Sequence, residues 1–197
     1  PGFSVFPGGS LKELDRQTAA EVFGRSDEET ALKIAALREL MEEAGLFWDG
    51  ARLVAVPAEA DGLSLVETAA RLGLPLRIEP LPRLAHFITP AFSPTRFDTH
   101  CFLLEVEEIA EPRSTDGELA RVLVEEPGRI IEDWHRFVAL LAPPTRMSLA
   151  ALAQRGGAEA AFALADGAQG QDVYYFESIP GIRTVPLRTP TLPPATH

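Results

Sequence analysis

The sequence predicts a domain that mixes helices and strands, of the α/β or α+β class. Residues 27–44 carry apolar side chains at helical spacing. Three short apolar segments have the composition of strands, at residues 51–56, 83–89 and 98–106. Helices and strands that follow one another along a chain indicate helices packed on a sheet. With 197 residues the chain is long enough for one substantial core.

The N-terminal part contains one expected strand and one expected break. Residues 3–6 have the composition of a strand end, and Pro7-Gly8-Gly9 interrupts it. A polar stretch follows to about residue 25, to which the pattern assigns no helix or strand.

The helix at residues 27–44 is the element that the sequence defines best. Ser26 with Glu29 forms a capping-box pattern at its start, and Gly45 is suited to a left-handed cap at its end. Its apolar face contains Ala31, Ile34, Ala35, Leu37, Leu40, Met41 and Ala44.

The remaining elements are assigned in the same way. Ser64 with Glu67 is a second capping box, which begins a short helix that ends near Gly73. Two later helices are expected at about residues 126–140 and 146–165. Five prolines between residues 179 and 197 favour an extended linker there.

Composition limits the partners and the compartment. A formal net charge of −11 argues against binding along a nucleic-acid backbone, which needs a basic surface. It is compatible with a small nucleotide-like ligand, because a metal ion reverses the local field. The single cysteine favours a reducing compartment such as the cytoplasm. No apolar run approaches the roughly 20 residues of a membrane span, so no membrane association is expected.

Three glutamates on the 27–44 helix are the candidate metal ligands. Glu39, Glu42 and Glu43 are separated by three and four positions and therefore share one helix face. Their mutual repulsion is relieved by a divalent cation, and ligands made only of oxygen suit Mg²⁺ or Mn²⁺. Arg38, four residues before Glu42, is near enough to orient that carboxylate. Three glutamates alone would more often form a solvated acidic face.

The residues around these glutamates resemble the Nudix hydrolase family. The family box reads G-x(5)-E-x(7)-REUxEExGU, where U is a bulky aliphatic residue, and an FPGG element often precedes it. Residues 38–46, Arg-Glu-Leu-Met-Glu-Glu-Ala-Gly-Leu, match the second half at every defined position, and Phe6-Pro7-Gly8-Gly9 matches the upstream element. The resemblance covers roughly residues 1–155. It implies a Nudix α/β/α sandwich with a mixed sheet. A complete Nudix domain has strands before the FPGG element, so the sheet is expected to lack its first strands in this chain.

Two departures from the box are similar to the coenzyme A diphosphatase branch of the family. Gly24 holds the position of the box glycine, but Thr30 replaces the following glutamate, and about twenty extra residues separate Gly9 from the helix. Four other segments resemble that branch: Gly2-Phe3-Ser4-Val5, Ile88-Thr89-Pro90, Arg96-Phe97-Asp98-Thr99 and Pro143-Pro144-Thr145-Arg146.

The resemblance implies metal-dependent hydrolysis of a diphosphate in a nucleoside-diphosphate derivative, with coenzyme A or an acyl-CoA as the favoured substrate. Metal would be held by Glu39, Glu42, Glu43 and the carbonyl of Gly9, with Glu39 as the first candidate for the base. Arg38, Glu42 and Glu43 complete the expected catalytic set. Thr30 removes one ligand and leaves the number of metals open. The alternative is a catalytically silent Nudix module that senses a ligand or docks a partner domain.

Residues outside the box have weaker claims. Arg96 and Phe97 are candidate substrate contacts, although Arg96 could equally pair with Asp98 at the start of a strand. His86 and His100 show no His-x-His spacing and are expected to have structural roles. Cys101 is expected to be a small core residue rather than a nucleophile.

The domain organisation expected from the sequence has two parts. Residues 1–165 form the Nudix domain, and residues 166–197 form a linker or the start of a following domain. The segment 188–197 resembles the beginning of a metallo-β-lactamase-fold hydrolase, whose His-x-His-x-Asp-His motif this chain lacks. Expected partners are therefore a small nucleotide-like molecule, such a fused domain and, as a further candidate, a second copy in a homodimer.

Overall fold

The computed structural model describes residues 3–89, 95–115 and 122–154. Within these ranges the chain forms seven strands and five α-helices, with a short 3-10 helix at Ala58–Ala60. The strands are β1 (Phe3–Ser4), β2 (Leu46–Trp48), β3 (Arg52–Ala55), β4 (Arg83–Ile88), β5 (Asp98–Phe102), β6 (Glu108–Ile109) and β7 (Leu140–Leu141). The helices are α1 (Glu13–Phe23), α2 (Glu28–Ala44), α3 (Leu65–Leu72), α4 (Pro127–His135) and α5 (Pro143–Ala153).

Helix α2 is the predicted helix and supplies much of the core. Its apolar face is buried together with β2, β3 and α3. Gly45 ends it at φ 63°, in the left-handed conformation that the sequence predicts. The predicted N-cap is wrong by one residue. Asp27 rather than Ser26 caps the helix, because the Asp27 carboxylate accepts the backbone N–H of Thr30 at 2.8 Å.

Helix α1 lies in the polar stretch to which the sequence assigned no element. It packs against α2 and buries Asp15, Thr18 and Ala19. Two of these three side chains are polar, so a search for apolar periodicity does not detect the buried face. Gly24 ends α1 at φ 63°, which gives the box glycine a helix-capping role.

The strands form both parallel and antiparallel pairs, as a mixed sheet requires. β3 pairs antiparallel with β2 and parallel with β6, while β4 and β5 form an antiparallel hairpin. β1 pairs in parallel with β7, which confirms strand structure at residues 3–4. β2 was not predicted, because it is only three residues long and follows the cap of α2 directly.

The other elements confirm the predicted types with changed bounds. Ser64 and Glu67 form the second capping box at α3. β5 ends at Phe102 rather than near residue 106, and α4 ends at His135 rather than near residue 140. α5 begins at Pro143, earlier than predicted, because proline is tolerated in the first helical turn. The rest of that predicted helix, from residue 155, and the proposed division at residue 166 lie outside the described residues.

Candidate functional site

The loop after β1 contacts the glutamates of α2, although the two segments are about thirty residues apart in the sequence. The backbone N–H of Gly8 donates a hydrogen bond to Glu43 Oε2 at 3.2 Å. Gly9 lies so close to Glu39 that an added Cβ would be 2.3 Å from Glu39 Oε1. The fold therefore brings the two halves of the sequence pattern together, and the Glu39 carboxylate occupies the space that a side chain at residue 9 would fill.

Arg38 connects the carboxylates of this region. Its guanidinium donates to both carboxylate oxygens of Asp15 at 2.8 and 3.0 Å. It also donates to Glu39 at 2.6 Å and to Glu42 at 2.8 Å, which confirms the predicted contact between Arg38 and Glu42. A further bond of 2.9 Å reaches the carbonyl of Ser10 in the loop. We call Asp15, Arg38, Glu39, Glu42 and Glu43 the carboxylate cluster.

Four of the five residues in the carboxylate cluster are buried, and all five carry ionisable side chains. Arg38 is 2% exposed and Asp15 is 1% exposed, while Glu39 and Glu43 are each 8% exposed. Burial alone disfavours a charged guanidinium, yet the pKa of Arg38 lies above its usual value because Asp15 and Glu39 accept its hydrogen bonds. The charged guanidinium of Arg38 offsets the negative charge of these carboxylates and orients them through its hydrogen bonds.

The donor set of the carboxylate cluster fits a hard divalent cation. Glu39, Glu42 and Glu43 offer only oxygen atoms, and the backbone of Gly9 lies against one of them. Lys12 already places an ammonium group 3.1 Å from Glu42 Oε2, so this edge of the cluster attracts positive charge. Arg38 and Lys12 each contact carboxylates of this cluster. An added Mg²⁺ or Mn²⁺ would place further positive charge among these oxygen atoms.

Thr30 does not take the place of the glutamate that it replaces in the family box. Its hydroxyl donates to the carboxylate of Asp27, and the side chain is buried. Thr30 therefore belongs to the N-terminal cap of α2. Asp15 is a carboxylate of the cluster that the sequence did not identify. The signal that could have revealed it is Gly24, a residue suited to end a helix, which follows residues 10–23 without proline or glycine.

The predicted substrate contacts lie at one end of the β4–β5 hairpin. Arg96 donates to the carbonyl of Thr89 at 3.1 Å, and the side chain of Phe97 is exposed. Asp98 contacts His86 and His100. The alternative pairing of Asp98 with Arg96 is not among the described contacts. Their role in substrate binding stays a prediction, because the described contacts do not connect Arg96 or Phe97 with the carboxylate cluster.

Cys101 lies on β5 and is partly buried. Burial raises the pKa of its thiol to about 11, although the neighbouring Ser148 hydroxyl acts in the opposite direction. A thiol that stays protonated at neutral pH is a poor nucleophile. The structure therefore favours the packing role predicted for Cys101.

One solved structure shares this arrangement of helices and strands. The crystal structure of a NUDIX hydrolase from Alicyclobacillus acidocaldarius matches with a TM-score of 0.69 and 28% sequence identity. The match covers 83% of this chain and 81% of the other. The chain has the Nudix fold. The predicted fold class is thereby confirmed, and the similarity supports a hydrolase of the Nudix family.

Comparisons based on sequence alone found no match for this chain. No family model matches the chain, and no curated protein matches it. Over residues 3–89, 95–115 and 122–154, every helix is too short or too polar to cross a membrane.

Proposed function

We propose that this chain hydrolyses a diphosphate bond in a nucleoside-diphosphate derivative, with Mg²⁺ or Mn²⁺ as cofactor. The observation that carries the proposal is the contact of Gly8 and Gly9 with Glu43 and Glu39. It joins the FPGG element and the box helix into one cluster of oxygen ligands. The similarity to a NUDIX hydrolase supports the same chemistry.

In this proposal the metal is held by Glu39, Glu42, Glu43 and the carbonyl of Gly9. The bound ion supplies positive charge that stabilises the diphosphate oxygens and lowers the pKa of water. Glu39 accepts a proton from the attacking water, whose oxygen forms a bond to one phosphorus atom as the bridging P–O bond breaks. The departing phosphate then takes up a proton. Arg38 orients Glu39 and Glu42 through bonds of 2.6 and 2.8 Å.

The favoured substrate is coenzyme A or an acyl-CoA. Support comes from the sequence segments that resemble the coenzyme A diphosphatase branch, including Arg96 and Phe97. The exposed ring of Phe97 offers an apolar surface, and the guanidinium of Arg96 can pair with a phosphate. We therefore expect Arg96→Ala to raise KM for coenzyme A while kcat changes little, whereas Arg71→Ala on the exposed side of α3 leaves both constants unchanged.

The direct test is a product assay on the full chain. Coenzyme A is incubated with Mg²⁺ or Mn²⁺, and the products are separated by chromatography. The proposal predicts 3′,5′-ADP and phosphopantetheine in equal amounts, with no product when a chelator is present. Cleavage of ADP-ribose or NADH instead would retain the diphosphatase function and overturn the substrate. An absence of turnover on all three compounds would contradict the enzymatic proposal.

A silent Nudix module is the second candidate, and Thr30 is the observation that favours it. Its hydroxyl is committed to Asp27, so the box offers one ligand fewer than the family pattern. A silent module should bind Mn²⁺ weakly and show no pyrophosphatase activity. A Mn²⁺ titration monitored by calorimetry, next to the product assay, separates the two candidates.

We also propose a cellular compartment and binding partners for the enzyme. We place it in the cytoplasm, on the evidence of the single cysteine, which is partly buried. The partners proposed are the nucleotide-like substrate, a fused metallo-β-lactamase-fold domain, and a second copy in a homodimer. Mass measurement of the intact protein under native conditions tests the last of these.

A further inference from the structure

The β4–β5 hairpin brings together three side chains that the Nudix pattern does not use. The strand register places His86 directly opposite His100. Their rings stack with centroids 4.0 Å apart and planes inclined by 18°. Asp98 precedes His100 by two residues and therefore lies on the same face of β5. We call His86, Asp98 and His100 the histidine cluster.

The ligand atoms of the histidine cluster have a spacing that suits a metal ion. Nε2 of His100 is 3.3 Å from Oδ1 of Asp98, and the same oxygen contacts Nε2 of His86. One potential ligand atom from each residue lies within 4.8 Å of the others. A tetrahedral Zn²⁺ with bonds of roughly 2.1 Å holds its ligand atoms about 3.4 Å apart. The side chain of Asp98 is 64% exposed and is therefore free to make the small adjustment that is needed.

The chemistry of the histidine cluster differs from that of the carboxylate cluster. Two imidazole nitrogens and one carboxylate oxygen are a common ligand set for zinc, whereas Mg²⁺ prefers oxygen ligands only.

We propose that His86, Asp98 and His100 form a second metal site, which binds Zn²⁺ or another transition-metal ion with the same ligand preference. It shares no ligand with the carboxylate cluster. Three protein ligands leave one position of a tetrahedral ion for water or for an anionic group. The proposal does not depend on the diphosphatase function.

The test measures metal binding rather than hydrolysis. The full chain is freed of metal with a chelator and titrated with Zn²⁺ by calorimetry, and with Co²⁺ by visible absorption. We expect one Zn²⁺ per chain and a Co²⁺ spectrum of tetrahedral intensity. His100→Ala and Asp98→Asn should each weaken the affinity by at least about tenfold. His135→Ala, which alters a histidine outside the cluster, should leave the affinity unchanged.

A comparison of Asp98→Asn with Glu42→Gln assigns the ion to one of the two clusters. Asp98 is exposed, so Asp98→Asn should fold even if His100→Ala does not, and circular dichroism checks both variants. Glu42→Gln should retain the Zn²⁺. An ion that is lost in Glu42→Gln and kept in Asp98→Asn belongs to the carboxylate cluster and overturns the proposal. An absence of tight Zn²⁺ binding by the unaltered chain overturns it as well, and would leave the three residues as two stacked histidines that share the Asp98 carboxylate.

Discussion

The carboxylate cluster and the histidine cluster are built in opposite ways. The first lies between two helices and a loop, is buried, and contains its own cation in Arg38. The second lies across two strands of one hairpin and combines two imidazole rings with an exposed carboxylate. In the first, charge pairing fixes the ligands before any metal binds. In the second, the register of β4 and β5 places the two histidines next to each other. The two clusters should therefore respond differently to the loss of one member.

The largest effect is expected on stability when the cation of the carboxylate cluster is removed. Arg38→Ala leaves the buried carboxylates of Asp15 and Glu39 without their partner. We expect the free energy of unfolding to fall by about 3–5 kcal/mol, measured by urea denaturation. Arg16→Ala is the matched control, because Arg16 forms one exposed ion pair with Glu28. Its cost should stay below about 1 kcal/mol. Equal losses for the two variants would show that charge pairing does not anchor the cluster.

The next effect concerns activity and tests the assignment of the metal ligands. Glu42→Gln keeps the size of the side chain and removes its charge, at a position where the side chain is 36% exposed. We expect hydrolysis to fall about 100- to 1,000-fold while the unfolding transition changes little. Glu21→Gln makes the same change on the exposed side of α1 and should leave the rate unaltered. Retained activity in Glu42→Gln would count against the metal assignment.

A smaller effect on activity is expected from the loop. In Gly9→Ala the added methyl group conflicts with the Glu39 carboxylate, which can move because it ends a flexible side chain. Stability should therefore change little, while metal affinity and rate fall about 10- to 100-fold. Gly8→Ala is the control next to it, since its Cβ would meet no atom closer than 3.9 Å. A normal rate in Gly9→Ala would mean that the position of Glu39 is not critical.

The smallest effect is expected away from both clusters. Ser64→Ala removes the cap of α3 and should lower the free energy of unfolding by about 1 kcal/mol, with no change in metal binding. Ser26→Ala should have almost no effect, because Asp27 is the cap of α2. Thermal unfolding of both variants measures the difference. A larger loss in Ser26→Ala would favour the cap that the sequence predicted over the one observed.

The sequence predicted the elements whose signals are local. Helix α2 and helix α3 were expected because an apolar period, a capping residue and a terminal glycine occur within one short segment. The glutamates of α2 share a face for the same reason, since helix geometry fixes their spacing. Helix α1 was missed because its buried face contains Asp15 and Thr18. Asp15 can be buried there because Arg38 on α2 donates hydrogen bonds to its carboxylate.

The sequence by itself determined the Nudix box helix, the chemistry of its oxygen ligands and the glycine loop that belongs with it. Only the tertiary structure decided what surrounds them. It placed Asp15 against Arg38 from 23 residues away, and it set His86 beside Asp98 and His100. Helical spacing is a property of neighbouring residues, whereas packing between helices and the register of two strands depend on the whole chain.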